Sequence, residues 1–158
     1  MDNKDININI SGKTFNARAS ILIFNSLDNK FLVQKRIGDS FWALPGGKVQ
    51  IMEKTKDTIK REIKEEIGLD LIDVKMLSVS ENFFTFKNED IHQYIFTYSG
   101  KLVDNCYENK EEFESIEKGK NVVYRWIDVE NIDDYEIRSD NVKELINGYI
   151  DNKILFFD

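Results

Sequence analysis

The residues best suited to chemistry are three glutamates, Glu62, Glu65 and Glu66, which lie close together in the sequence. If this segment is helical, successive residues are rotated by about 100° around the helix axis. Glu62 and Glu66 are then about 40° apart, and Glu65 lies about 60° to the other side of Glu62. Carboxylates that share such a narrow arc repel one another, and a divalent cation would relieve the repulsion. Oxygen ligands suit hard cations, and Mg²⁺ prefers one or two carboxylates together with phosphate oxygens.

The elements that must position these glutamates can be read from the surrounding residues. A helix over residues 54–67 is predicted because isoleucines recur every four residues and form an apolar stripe, at Ile59, Ile63 and Ile67. Gly68 follows as a C-terminal stop. Residues 45–47, Pro-Gly-Gly, are predicted to break regular structure and to supply the backbone freedom of a tight loop. From the spacing alone, a solvated acidic helix face is the alternative to a metal site.

Residues 47–69 resemble the Nudix box of the Nudix hydrolases, the MutT-like family. In this sequence the pattern reads Gly-x5-Glu-x7-Arg-Glu-Ile-x-Glu-Glu-x-Gly-Leu, and every specified position matches. The preceding segment also resembles the Trp-x-Leu-Pro-Gly-Gly lead-in that is common in the family. The chain departs from the commoner box at Gln50, Ile51 and Met52, where many members have Glu-Pro-Gly before the first glutamate. This departure concerns the shape of the loop and leaves the expected ligands in place.

The resemblance implies metal-dependent hydrolysis of a nucleoside diphosphate linked to another moiety, with water attacking phosphorus. It implies that Mg²⁺, or Mn²⁺, is held by Glu62, Glu65, Glu66 and the Gly46 carbonyl. In some members the residue at Glu62 doubles as the catalytic base. Arg61 is expected to orient Glu53 or Glu62, and Glu53 is a supporting carboxylate. A catalytically weak nucleotide-sensing module is the alternative, although such domains usually lose a box glutamate.

Four residues outside the box are candidates for substrate binding, and each has a structural alternative. Arg18 is either a strand-edge charge or a phosphate contact, and Arg36 either grips diphosphate oxygens or faces solvent. Trp42 and Phe84 either pack in the core or stack on a base or ribose. His92, the single histidine, is either structural or in contact with substrate. The substrate itself stays open among nucleoside triphosphates, ADP-ribose, dinucleoside polyphosphates and nucleotide sugars, because selectivity lies in loops outside the box.

Composition limits the class of protein. The chain has 158 residues, of which 41% are hydrophobic, and this predicts one globular domain over residues 1–158. A net charge of −7 argues against a stable nucleic-acid partner or an anionic membrane, while a bound metal would still admit a small nucleotide. Cys106 is the only cysteine, so no internal disulfide is expected. No apolar run reaches membrane-spanning length, and residues 1–9 lack a signal-peptide pattern, which favours a cytoplasmic location.

The order of predicted elements indicates a mixed α/β domain. The resemblance sharpens this to an α/β/α sandwich with a curved mixed sheet and a loop-helix-loop catalytic motif. Strands are predicted at residues 5–10 (half buried through its isoleucines), 14–24, 31–36, 70–79, 81–86, 91–98 and 121–129. A second helix is predicted at 140–149 and a mobile polar loop at 102–119. The apolar tail, 154–157, docks either on the core or on a partner subunit, which leaves a homodimer as an alternative.

Overall fold

The structure is a computed structural model that describes residues 4–138 and 141–157. Its elements follow the chain as β1 (Asn7–Ile10), β2 (Lys13–Ile23), β3 (Lys30–Arg36), β4 (Gly46–Lys48), α1 (Thr55–Ile67), β5 (Leu71–Phe86), β6 (Glu89–Leu102), β7 (Glu112–Glu114), β8 (Val122–Asp128), α2 (Val142–Ile150) and β9 (Leu155–Phe157). A short 3-10 helix, Val129–Asp134, connects β8 to the segment before α2. Neither α-helix within the described ranges has the length and apolar character that a membrane crossing requires.

Two β-sheets form the framework. The larger sheet has the strand order β1-β2-β6-β5-β9, and the smaller has the order β3-β8-β7. Strand β4 pairs with β2 on the edge opposite β6, beyond the residues of β2 that pair with β1. Strands β2 and β6 run parallel, whereas the β1–β2 and β5–β6 pairs are antiparallel. The large sheet is therefore mixed, and the prediction of a mixed α/β domain is confirmed.

Strand β2 separates two apolar cores because its successive side chains point to opposite faces. Ala19 and Ile21 belong to the core that includes the isoleucines of α1. Leu22, the residue after Ile21, belongs to the other core, together with Leu145 and Ile146 of α2. Each helix thus covers one face of β2, which is the α/β/α sandwich that the sequence predicted.

Helix α1 begins one residue later than predicted and ends where predicted. Its three isoleucines, Ile59, Ile63 and Ile67, are buried and hold the helix on β2. Gly68 terminates the helix in a left-handed conformation, φ 83°, and its N–H donates to the Lys64 carbonyl. A residue with a Cβ is strained at this φ, which is why glycine is the usual residue at this position.

Residues 45–47 do not form the tight loop that the sequence predicted. Gly46 and Gly47 begin β4, which pairs antiparallel with β2, and neither glycine has a positive φ. Glycine is required at these two positions because other atoms of the protein approach the backbone closely, and not because the backbone adopts an unusual conformation. A Cβ on Gly46 would lie 2.1 Å from the carbonyl oxygen of Ala19 on β2. The glycine pair therefore lets the chain press against the sheet immediately before α1.

Two predictions in the outer parts of the sheets are wrong. Of the segment predicted as half buried, Ile6 packs against the first core, but strand β1 is exposed along its whole length, including Ile8 and Ile10. The region 102–119 is not simply an irregular loop, since Glu112–Glu114 form β7 and Phe113 is buried. Arg125 of β8 contacts the carboxylates of Glu111 and Glu112 next to that strand, so part of the acidic charge is paired.

The remaining elements agree closely with the sequence. Strands β5 and β6 form the expected hairpin, with β5 running unbroken through 81–86 and a turn at Lys87 and Asn88, both at positive φ. Helix α2 starts at Val142, and the predicted first residue, Asp140, lies outside the described residues. The apolar tail forms β9, which pairs parallel with β5, and Phe157 packs on the second core. Of the two alternatives for the tail, the structure shows docking on the core.

Met52 stands where many Nudix boxes have glycine, and it adopts a left-handed conformation with φ 65°. Its side chain makes almost no contact, since the residue is 98% exposed. Met52→Gly should therefore stabilise the fold by about 1 kcal/mol, because the strain of a Cβ at positive φ is removed. Urea denaturation measures the change. Met52→Ala is the matched control, because it removes the same exposed side chain and keeps the Cβ. Equal stability of the two variants would contradict the strain.

Candidate active site

Arg61 is the hub of the acidic cluster on α1. Its Nε and Nη2 donate to the two carboxylate oxygens of Glu53, at 2.8 and 3.1 Å. Its Nη1 donates to Glu62 Oε1 at 2.7 Å and to Glu65 Oε2 at 3.3 Å. Nη2 also reaches the carbonyl of Lys48 in β4, at 3.4 Å. One guanidinium therefore joins the strand, the loop and the helix, as a planar fork of donors allows.

Glu53 is held by more than its arginine. The Thr58 hydroxyl donates to Glu53 Oε2 at 2.8 Å, and the backbone N–H of Gln50 donates to the same oxygen at 3.1 Å. The hydrogen bond from Arg61, followed by those from Thr58 and Gln50, lowers the pKa of Glu53 from 4.5 to about 2. The carboxylate is therefore ionised at neutral pH, and it anchors the loop to the first turns of α1.

Glu62 lies against the glycine pair. It is only 8% exposed, and a Cβ on Gly47 would lie 2.2–2.6 Å from its carboxylate carbon and oxygens. Burial raises the pKa of Glu62, while the hydrogen bond from Arg61 and the charge of Lys120 oppose that shift. The missing side chain of Gly47 thus makes the space in which this carboxylate sits.

Glu66 is the most buried of the three box glutamates that were predicted as ligands, at 3% exposed. The Tyr124 hydroxyl donates to its Oε2, and the Lys120 ammonium donates to its Oε1. Burial, together with the negative charge of Glu66, raises the pKa of Tyr124, so the hydroxyl keeps its proton. Burial lowers the pKa of Lys120, but its hydrogen bond to Glu66 and the nearby carboxylate charges raise it on balance. Lys120 Nζ also lies 3.6 Å from Glu62 Oε2.

The three predicted ligands differ in environment more than the helical arc suggested. Glu62 and Glu66 turn inward and share the Lys120 ammonium, whereas the side chain of Glu65 is 44% exposed and contacts Arg61. Among the described residues, no three Asp, Glu, His or Cys side chains are arranged as a group that could hold a metal ion. Helix geometry alone therefore brings the carboxylates to one side of α1 without making them converge.

The donor set nevertheless fits a hard divalent cation. Its side-chain donors are all carboxylate oxygens, and those of Glu62 and Glu66 already face one common positive charge, the Lys120 ammonium. Gly47 leaves room for the Glu62 carboxylate. Gly46, the predicted backbone ligand, precedes Gly47 in β4 and pairs with Ser20 of β2. The residues present are thus of the type and charge that such an ion requires.

Arg18 is the one predicted substrate contact that lies beside the carboxylates. It pairs with Lys48 across β2 and β4, and its Nη2 donates to the Leu44 carbonyl at 3.5 Å. Burial lowers the pKa of Arg18, and the negative charges of Glu62 and Glu66 oppose that change. The side chain of Arg18 thus lies within electrostatic range of both buried box glutamates.

Two other predicted contacts lie elsewhere. Trp42 is buried in the second core, and the Lys35 ammonium lies 4.7 Å from its ring centroid. The burial of Trp42, which is 6% exposed, favours packing over base stacking, and its part in substrate binding stays a prediction. Arg36 is exposed at the end of β3. Among the hydrogen bonds and ion pairs of the described residues, none joins either side chain to the box carboxylates.

The aromatic side chains of the β5–β6 hairpin form a separate group. Phe84 is exposed on β5, and its neighbour Phe83 points to the opposite face of the strand, where it stacks on His92 at 4.3 Å between centroids. His92 Nε2 lies 3.0 Å from Glu81 Oε1. His92 therefore contacts other side chains of the same hairpin. Within the described residues, the structure shows no contact from Phe84 to the acidic cluster.

Sequence reasoning missed three residues that hold the cluster. Thr58 lies inside the predicted helix, where an isolated threonine gives no signal of its hydrogen bond to Glu53. Tyr124 belongs to a predicted strand, and the strand pattern gives no signal of its hydrogen bond to Glu66. Lys120 lies between the predicted polar loop, 102–119, and the predicted strand at 121–129, where no local pattern marks it. No local pattern connects Lys120 or Tyr124 to a helix more than fifty residues earlier.

An α/β/α sandwich whose first helix carries arginine-braced carboxylates beside a glycine pair defines a domain that presents acidic oxygens on one side of that helix. The chain belongs to the Nudix family, because the model described as NUDIX domain matches residues 14–146.

Known relatives agree with this assignment. The chain is 36% identical to the RNA pyrophosphohydrolase of Pseudoalteromonas atlantica over 78 aligned residues, which cover 49% of this chain and 44% of that protein. The RNA pyrophosphohydrolase of Aeromonas hydrophila is 35% identical over 78 residues, with the same coverage. The chain therefore matches less than half the length of these curated relatives.

Solved structures share the fold. A NUDIX hydrolase from Nitrosomonas europaea superimposes with a TM-score of 0.62 at 20% identity, covering 87% of this chain and 90% of that one. A MutT protein from Bacillus halodurans gives a TM-score of 0.64 at 16% identity, covering 89% and 86%. At these identities the comparison concerns the fold, and the α/β/α sandwich is confirmed.

The contact between Gly47 and Glu62 is testable by a double-mutant cycle. Gly47 has an ordinary φ, so Gly47→Ala should cost about 1–3 kcal/mol of stability only because its Cβ collides with the Glu62 carboxylate. In the Glu62→Ala background the same substitution should be nearly neutral. Urea denaturation of the four proteins gives the coupling. If Gly47→Ala costs the same in both backgrounds, the two residues do not constrain each other.

The low pKa of Glu53 predicts a pH-dependent contribution to stability. A carboxyl whose pKa falls from 4.5 to about 2 on folding stabilises the protein above pH 4.5, and this stabilisation is lost as the pH falls toward 2. Glu53→Gln should therefore cost about 1–3 kcal/mol at neutral pH, and the difference from wild type should narrow below about pH 5. Denaturation midpoints across this range measure it. Glu114→Gln, at an exposed residue of β7, is the control. A stability difference between Glu53→Gln and wild type that stays constant with pH would refute the linkage.

Proposed function

We propose that this protein hydrolyses the diphosphate linkage of a nucleotide with the help of a divalent cation bound at the acidic face of α1. The observation that carries the proposal is the bracing of two box glutamates, Glu53 and Glu62, by the single guanidinium of Arg61. All box glutamates are present, which disfavours the alternative of a nucleotide-sensing module without turnover. The family membership and the names of the curated relatives support the same class of reaction.

Mg²⁺ or Mn²⁺ would be held by the carboxylates of Glu62, Glu65 and Glu66 and by the Gly46 carbonyl. When bound, such an ion neutralises phosphate oxygens and lowers the pKa of a bound water, which supplies a nucleophile at neutral pH. The oxygen-only donor set and the inward orientation of Glu62 and Glu66 support this assignment.

The chain's own residues prepare the site for attack on phosphorus. Arg61 fixes the rotamer of Glu62, so one carboxylate oxygen is occupied by Nη1 and the other is directed toward the Lys120 side. Burial raises the pKa of Glu62, which makes this carboxylate a better acceptor for a proton from water. Arg18 offers a guanidinium beside the same oxygens, where it can bind a phosphate of the substrate.

The curated relatives suggest where to look for the substrate. They are named RNA pyrophosphohydrolases, so a 5′-triphosphate on RNA belongs in the panel beside free nucleotides and nucleotide sugars. A net charge of −7 disfavours long contacts with an RNA backbone. We therefore propose that recognition is confined to the terminal nucleotide and its phosphates.

The central test is metal-dependent turnover of that panel, followed as released phosphate or pyrophosphate. EDTA should abolish hydrolysis and Mg²⁺ should restore it. Glu65→Gln should lower kcat/KM about tenfold or more, because Glu65 is exposed and its loss removes a ligand without unfolding the helix. Glu114→Gln, another exposed glutamate, is the matched control and should retain full activity. Undiminished activity in EDTA, or equal kinetics for the two variants, would overturn the proposed site.

A further inference from the structure

Lys120 forms ion pairs with both buried glutamates of the box, Glu62 and Glu66, whereas Arg61 pairs with only the first of these two. Its ammonium donates to Glu66 Oε1, lies 3.6 Å from Glu62 Oε2, and lies 3.3 Å from Glu117 Oε2. The first two carboxylates are those to which the proposed function assigns a divalent cation. A side-chain cation thus occupies the same oxygens that the metal would use.

The backbone helps to position this contact, because the loop that carries Lys120 is itself hydrogen-bonded to α1. The N–H of Ile116 and the hydroxyl of Ser115 both donate to the backbone carbonyl of Glu66, at 2.9 and 3.1 Å. The loop that connects β7 to β8 is therefore docked on the last turn of α1. Gly119, with φ 82°, makes the turn that brings Lys120 back over the carboxylates.

The same loop contains a second acceptor for the ammonium. Glu117 Oε2 is buried and has no hydrogen-bond partner within the described residues, although Lys120 Nζ is within 3.3 Å. An acceptor with unfilled capacity costs free energy when it is buried. A small movement of Lys120 from Glu66 to Glu117 would fill that capacity without returning the ammonium to solvent.

We propose that Lys120 is an internal counter-cation, which bridges Glu62 and Glu66 in the metal-free protein and is displaced toward Glu117 when a divalent cation binds. This inference rests on the proposed function, because it assumes that the metal uses the same oxygens. An ammonium and a divalent ion on shared carboxylates repel each other. Lys120 therefore lowers the affinity for metal while it stabilises the metal-free fold.

The change in metal affinity when Lys120 is removed distinguishes the proposal from a purely structural role for this residue. If Lys120 only supports the fold, its removal lowers stability and leaves metal affinity unchanged or weaker. If it competes with metal, its removal lowers the metal-free stability and strengthens metal binding, because the two effects are linked through the same carboxylates.

The experiment compares Lys120→Met with Lys118→Met in the full chain at fixed ionic strength. Both variants lose one positive charge from an exposed residue of the same loop, but Lys118 makes no ion pair among the described residues, whereas Lys120 makes three. Mn²⁺ affinity is measured by titration with detection of free Mn²⁺, and melting temperature is measured in EDTA and in Mn²⁺. For Lys120→Met we expect the dissociation constant for Mn²⁺ to fall at least about fivefold, the melting temperature in EDTA to fall, and the increment on adding Mn²⁺ to grow. Lys118→Met should match wild type in all three.

An unchanged or weaker affinity of Lys120→Met for Mn²⁺, or a wild type that binds no Mn²⁺, would overturn the proposal. If Lys120→Met does not fold, Lys120→Gln replaces it, since its amide can still donate to Glu66, and the same fivefold tightening is expected. The proposed function can fail separately. If the protein hydrolyses nothing in the substrate panel, yet binds Mn²⁺ more tightly without Lys120, the proposed function is wrong and the role of Lys120 as a counter-cation is supported.

Discussion

The fork of hydrogen bonds from Arg61 is the interaction on which the rest of the site depends. It ties Glu53 in the loop, Glu62 on the helix and the Lys48 carbonyl in β4 to one planar group. Because a guanidinium presents its donors in a rigid plane, fixing one carboxylate also fixes the others. The loop that departs from the commoner box sequence is anchored at Glu53, which accepts hydrogen bonds from Arg61 and Thr58 of α1 and from the Gln50 N–H.

The buried carboxylates impose the second constraint. Removing Glu62 and Glu66 from water costs free energy that only nearby cations and hydrogen-bond donors can offset. Those donors come from three separate elements: Arg61 on α1, Lys120 in the loop before β8, and Tyr124 within β8. The smaller sheet is thus more than a cover for the core, because it supplies part of the charge balance of the helix that packs beside it.

Glycine illustrates how a correct residue can be assigned the wrong physical reason. The sequence identified the pair before α1 as important and attributed it to a flexible loop. In the structure both residues lie in an extended strand, and their value is that Ala19 and Glu62 occupy the space where a Cβ would be. Met52 shows the converse, since a left-handed position in the same loop carries a side chain where the family often has glycine.

The sequence alone determined what depends on short spacing: helix α1 with its isoleucine stripe, the stop at Gly68, and the placement of the box glutamates on one side of the helix. Local periodicity records those features because each residue contacts neighbours three or four positions away. Only the tertiary structure decided which charges Glu66 meets, because Lys120 and Tyr124 lie 54 and 58 residues from it along the chain. It also decided that β1 is exposed, since a strand's alternating pattern does not say whether another layer packs against it. Contacts between distant segments leave no period in the sequence, and they arise only when the sheets bring those segments together.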